Sequence, residues 1–230
     1  TRVALEADSG PYLAVCPVNH TGDRHSPSAW KMSNAIDSWS WNGCEGRKAN
    51  VEVYARAAAV ALVLNGREIG RKAMRDDCIA RFSCAYEPGV MEAVSYDESG
   101  REIGRRRLVS AGKQTMLTAE IESDNGELIS GAVHPGRLCF VRLRYTDANG
   151  ITKPLERGRI TVGVEGGRLL GLGCAAPFIL DSFVSNETGT YYGEALAVIE
   201  ASHDATCGDE IVLTATDATN RTATLTVSVA

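Results

Sequence analysis

No Cys-x-x-Cys pair occurs in this sequence, although it holds seven cysteines (Cys16, Cys44, Cys78, Cys84, Cys139, Cys174 and Cys207). Zinc ribbons and redox pairs need their sulfurs close together in the chain, so the spread argues against both. Scattered free thiols fit a reducing compartment, and a cytoplasmic location is expected; one disulfide in a secreted protein is the alternative. Nothing approaches the ~18 consecutive apolar residues of a membrane-crossing helix. Positive charge is also in short supply: 24 Lys and Arg against 29 Asp and Glu leave a net −5. The one basic run, Arg105-Arg106-Arg107, is too short for a phosphate footprint, so neither nucleic acid nor membrane is an expected partner. Helical periodicity is missing as well. A (β/α)8 barrel needs eight amphipathic helices, and not even two can be found.

Chemical motifs are equally sparse. There is no Gly-x-Ser-x-Gly elbow. The glycines of GVEGGRLLGLG (163–173) precede no helix, so they are not a dinucleotide loop. His20 and His25 with Asp23 match no recognised ligand spacing, and neither a metal nor another cofactor is expected. His134 and His203 read as loop residues, as does Asn186-Glu187 in SNETGTYYG (185–193). Paired catalytic carboxylates need a cleft and a fixed separation that nothing here specifies.

What the sequence does contain is period-two alternation. VEVY (51–54), VALVL (60–64), IARFSCAY (79–86) and VMEAVSY (90–96) read as strands bounded by turn residues. Asn65-Gly66 predicts a type I′ hairpin turn, because both central residues need positive φ. The hexapeptide GREIGR occurs at 66–71 and again, unchanged, at 100–105. The 34-residue offset equals a helical-repeat period, but no 3.6-residue pattern accompanies either copy. Both start on a turn glycine and run into an outgoing strand, so they are expected to be one structural part used twice: a charged edge with one apolar anchor, Ile69 and Ile103. After Gly112 the pattern restarts with TMLTAEIES (115–123), a turn at Asp124-Asn125-Gly126 and FVRLRYT (140–146). RITVGV (159–164) and RLLGLG (168–173) flank Glu165-Gly166-Gly167, and three more strands end the chain. Turns every 8–12 residues predict an all-β chain of two tandem sandwiches.

The first 45 residues lack this pattern and hold Trp30, Trp39 and Trp41. They predict an irregular connecting segment (1–45), followed by sandwiches at 46–112 and 113–230. Trp30, Trp39, Trp41 and the pair Tyr191-Tyr192 are the candidate site residues. Aromatic faces either stack on sugars or fill a gap between domains, and the sequence does not choose. The chain begins at Thr1 with no initiator Met and no leader pattern, so it is expected to be part of something longer.

The run SWSWNGCEGRKANVEVYARAAAVALVLNGREIGRK (38–72) resembles the segment after the catalytic barrel in bacterial glycoside hydrolase family 2 enzymes, the β-galactosidases and their relatives. There a His-Trp-x-Trp-like motif precedes a Val-rich strand and an Asn-Gly hairpin. Here Ser38 stands in place of the His, Trp39 and Trp41 match, and Leu64-Asn65-Gly66-Arg67 with Gly70 matches the hairpin. Tyr86-Glu87-Pro88-Gly89, Ala93-Val94, Tyr96-Asp97 and Ala111-Gly112 fit the same domain. Val164, Gly166-Gly167, Leu169-Leu170-Gly171 and Gly173 are similar to a glycine-leucine signature of the last domain. Relatives continue with Asn-Gly-Asp-Pro where this chain has Cys174-Ala175-Ala176-Pro177. The resemblance covers 38–230 and implies two Ig-like or fibronectin-like sandwiches. It also implies that both catalytic glutamates lie on an upstream barrel, leaving no catalytic residue here. The implied partners are that barrel, a second copy in a homo-oligomer, or oligosaccharide. A carbohydrate-binding module and a stand-alone adhesion module are the alternative readings.

Overall fold

The computed structural model describes residue 3 and residues 10–23, 33–122 and 132–230. Trp30, His25 and the turn expected at Asp124-Asn125-Gly126 lie outside them. The chain divides into two compact units, Thr1–Ser110 and Ala111–Ala230. Both are built from antiparallel strands whose alternate side chains are buried, as the period-two pattern requires.

In the first unit, β1 (Tyr12–Val15), β2 (Lys48–Tyr54) and β5 (Ile79–Ala85) form one sheet in the order β1-β2-β5. The other sheet has the order β4-β3-β6-β7, from β3 (Ala59–Leu64), β4 (Arg67–Ala73), β6 (Val90–Tyr96) and β7 (Glu102–Val109). Three strands against four is a fibronectin-like sandwich. Leu13, Val51, Val53, Val60, Leu62 and Met91 are buried in it. The leading segment, expected to be irregular, supplies β1: Tyr12 pairs with Tyr54 and Val15 with Val51. A four-residue edge strand carries too little alternation to be seen in sequence, and its pairing comes from a partner some 40 positions away.

The two GREIGR copies form the two outer edges of the same four-stranded sheet. Asn65 and Gly66 have φ of 50° and 79°, as the type I′ turn demands. Each copy also takes a β-bulge at the same letter. Leu62 and Val63 pair with Gly70 and Glu68, skipping Ile69. Ser95 and Tyr96 pair with Gly104 and Glu102, skipping Ile103. Ile103 is 46% exposed, so it does not anchor a core. A bulge twists a strand away from a flat ladder, and charged edges repel a further strand. The repeated word therefore closes both open edges of one sheet.

The second unit contains β8 (Met116–Ile121), β10 (Leu138–Thr146), β12 (Gly167–Gly173) and β14 (Glu194–Ala201) in the order β12-β14-β10-β8. Its other sheet has the order β13-β11-β15-β16-β9, from β9 (Ala132–Val133), β11 (Arg159–Glu165), β13 (Glu187–Gly189), β15 (Glu210–Asp217) and β16 (Thr222–Val229). The β16–β9 pair is parallel. Val141, Leu143, Tyr145, Ile160, Leu213 and Ile199 fill the core between the sheets. The strands flanking Glu165-Gly166-Gly167 are not partners: β11 and β12 lie in opposite sheets. The chain turns this corner against backbone, since a Cβ on Gly166 (φ 72°) would stand 2.1 Å from the Glu210 carbonyl oxygen.

A second repeated part is a turn: the copies at 97–100 and 147–150 are legible as turns in the sequence, and what they share with the one at 217–220 is not. Asp97, Asp147 and Asp217 each open a five-residue hairpin turn. The Oδ1 of each accepts backbone N–H bonds from the residues two and four ahead: Ser99 and Arg101, Asn149 and Ile151, Thr219 and Arg221. The fourth residue has positive φ in every case: Gly100 82°, Gly150 76° and Asn220 63°. Asp-x-x-Gly/Asn is the signal that all three share.

Candidate functional site

Residues 38–41 are held against the first sandwich by a network centred on Tyr86. The Trp39 Nε1–H donates to the Glu87 carbonyl at 3.0 Å, and its ring meets Tyr86 edge-on at 4.9 Å between centroids. The Trp41 amide donates to the Tyr86 hydroxyl at 3.0 Å, and the Trp41 indole donates to the Ser38 carbonyl at 3.2 Å. The Ser110 hydroxyl donates to the Trp39 carbonyl at 2.5 Å. Burial pushes the Tyr86 phenol up from its usual range. Trp39, Trp41 and Tyr86 are all fully buried. Neither indole presents a face to a sugar; they staple the leading segment to the sandwich.

Tyr191 and Tyr192 sit on the hairpin between β13 and β14. Tyr191 and Glu194 exchange both backbone bonds, and Tyr192 (φ 49°) and Gly193 (φ 77°) make a two-residue turn. The rings are half-buried, 4.5 Å apart and tilted by 59°. That tilt is not the coplanar pair on which successive sugar rings stack. Burial, with the Tyr191 phenol beside it, pushes the Tyr192 hydroxyl up to about 12.

Several polar groups elsewhere among the described residues are paired. The ion pair His20–Asp23, at 2.8 Å, is exposed. An open groove of about 750 Å³ runs past Arg168, Glu200, His203 and Asp209. Arg168 pairs with Glu200 at 2.8 Å, and Asp209 accepts the Thr206 amide and hydroxyl. No cluster of three metal-ligating side chains occurs among the described residues. Asn186-Glu187 is not purely loop, since Glu187 opens β13 and pairs with Arg159.

The feature that composition and spacing missed is apolar. Between β12 and β13 the chain reads PFILDSFV (177–184). Phe178 is 95% exposed, Leu180 104%, Val184 84% and Phe183 57%. Four large exposed apolar side chains within seven residues of one loop are the kind of feature that marks an interaction site rather than scattered hydrophobes. The loop is nonetheless fixed. The Leu172 amide donates to the Phe183 carbonyl at 2.8 Å, and the Phe183 ring lies so close to Gly173 that a Cβ there would clash at 2.3 Å. The Asp181 carboxylate turns inward to accept the Gly189 amide at 3.0 Å and to pair with Arg159 at 3.2 Å. The Gly189 bond first, then Arg159, holds that carboxyl below its usual range.

Residues 117–226 match the family described as glycoside hydrolase family 2 C-terminal domain 5. Residues 46–104 match a domain of unknown function, DUF4982. No curated protein matches the chain. Among solved structures, a glycosyl hydrolase family 2 member from Bacteroides cellulosilyticus superposes with a TM-score of 0.82 at 26% identity, covering 100% of this chain and 29% of its own. A member from Bacteroides cellulosilyticus DSM 14838 gives 0.78 at 28% identity, covering 98% and 29%. A β-glycosidase from Bacteroides vulgatus shares the fold, with 0.73 at 18% identity, covering 98% and 25%. The chain thus spans under a third of the length of these relatives. With its second sandwich matched to the family's C-terminal domain and its whole fold found in family members, the chain is similar to the C-terminal region of glycoside hydrolase family 2 enzymes.

Proposed function

We propose that this chain is the non-catalytic C-terminal part of a family 2 glycosidase of the β-galactosidase or β-glucuronidase type, where it supports the catalytic barrel. One observation carries this reading: two β-sandwiches in tandem, the second matching the family 2 C-terminal domain over 117–226. The side chains agree with it, since the carboxylates described above are bound in turns, ion pairs and hairpins rather than facing each other across a cleft. The seven unpaired thiols fit synthesis in a reducing compartment, the cytoplasm. Assaying the purified chain with aryl β-galactosides and β-glucuronides tests the proposal. Turnover in the enzyme range, ~1–10³ per second, would overturn it, whereas no turnover is expected from the chain alone.

The carbohydrate-binding reading loses its strongest candidates, because Trp39 and Trp41 are buried. Among the described candidates, Tyr191 and Tyr192 keep partial exposure.

A further inference from the structure

We propose that the apolar loop at 177–184 is a docking element whose occupant is the catalytic part of the same polypeptide. This rests on the accessory-region reading above. Phe178, Leu180 and Val184 project almost fully into solvent from a loop anchored in its second half through the Phe183 carbonyl and the Asp181 carboxylate. Such a loop is preorganised, and docking it costs little ordering entropy.

Chemistry and size select the occupant. A sugar site needs polar groups free to orient hydroxyls, but the polar side chains of this loop, Asp181 and Ser182, are engaged. Asp181 is held by Gly189 and Arg159. The Ser182 hydroxyl accepts the Val184 amide and the Ser182 carbonyl accepts that of Ser185. What faces outward is hydrocarbon, which fits an apolar protein surface. The four side chains offer on the order of 500 Å² of apolar area. That falls below the roughly 800 Å² per partner of a stable association between separate molecules, which disfavours a second copy as the occupant. A body on the same chain works at an effective concentration near millimolar, so a smaller contact suffices. The relatives at 26% and 28% identity carry such a body, since this chain accounts for only 29% of each.

The test uses the full-length gene product, whose length is measured first. A native product of no more than these 230 residues would overturn the accessory-region reading and the docking with it. A longer product with glycosidase activity leaves the loop alone on trial. A photoreactive benzophenone amino acid is then placed at position 180 in that product, and adducts are mapped by mass spectrometry after irradiation. The expected result is one intramolecular adduct on the catalytic part. Adducts joining two copies, adducts on added oligosaccharide, or no adduct would each overturn the proposal. A second readout is the double variant Phe178→Ser with Leu180→Ser. The heat-inactivation temperature of the full-length enzyme is expected to fall by roughly 3–5 °C, while the isolated chain melts unchanged. An unchanged full-length enzyme would equally overturn it.

Discussion

At Asp217, a buried carboxylate receives the Tyr145 hydroxyl at 3.1 Å, the Arg221 Nε at 2.7 Å and two backbone amides of its own turn. The Arg221 guanidinium also lies 4.7 Å over the Tyr145 ring. Burial alone would raise this carboxyl. The Thr219 hydroxyl and the Arg221 donors outweigh it and hold the group well below its ordinary value of 3.8. A depressed folded-state pKa contributes stability that is present above the ordinary value and lost as pH falls below it. Asp217→Asn is therefore expected to cost about 3 kcal/mol at pH 7, with the gap to the parent closing as pH drops below about 3. Urea unfolding followed by circular dichroism at both pH values checks this. Trp39 and Trp41 are buried in the first unit, so their fluorescence reports on that sandwich.

At the scale of elements, one repeated word meets two different neighbourhoods. A Cβ on Gly104 would lie 2.9 Å from the Gly10 carbonyl, the Pro11 ring and the Ser95 hydroxyl, whereas one on Gly70 would reach only the Phe82 ring at 3.8 Å. Gly104→Ala is expected to destabilise the first sandwich by about 2 kcal/mol, and Gly70→Ala to stay within about 0.5 kcal/mol of the parent. Tryptophan fluorescence during urea unfolding separates the two; equal losses would show that the bulges, not the packing, control tolerance. The long strands β2, β3, β5, β6, β10, β11, β14, β15 and β16 were legible because their alternation runs over six to nine residues. The edge strands β1, β9 and β13, at four, two and three residues, were not. Strands that short carry no period of their own and are defined by the strand they pair with.

At the scale of the whole molecule, the chain combines two packed cores with an exposed apolar loop on the second unit. Among the described residues, the apolar side chains at 178, 180 and 184 are each at least 84% exposed. The isolated chain is expected to bind an apolar dye such as anilinonaphthalene sulfonate while fully folded, and Phe178→Ser with Leu180→Ser to abolish most of that signal without shifting the melt. Dye binding that survives both changes would place the apolar surface elsewhere. The candidate site was hardly legible beforehand: the reading settled on tryptophans because large aromatics attract attention, and Trp39 and Trp41 proved to be internal staples. The apolar run at 177–184 was not singled out, because a short apolar run does not say whether anything covers it.

The sequence by itself determined the all-β class, the place of most strands, the Asn65-Gly66 turn and the likeness to family 2. These follow from period-two burial and from backbone torsions that few residues adopt, both of which are local. Only the tertiary structure decided that β11 and β12 part into opposite sheets, that both GREIGR copies edge one sheet, that Ile103 is exposed and that Phe178 and Leu180 face solvent. Sheet partnership and exposure depend on residues distant in the chain, and alternation along a strand says which side chains share a face without saying what, if anything, covers it.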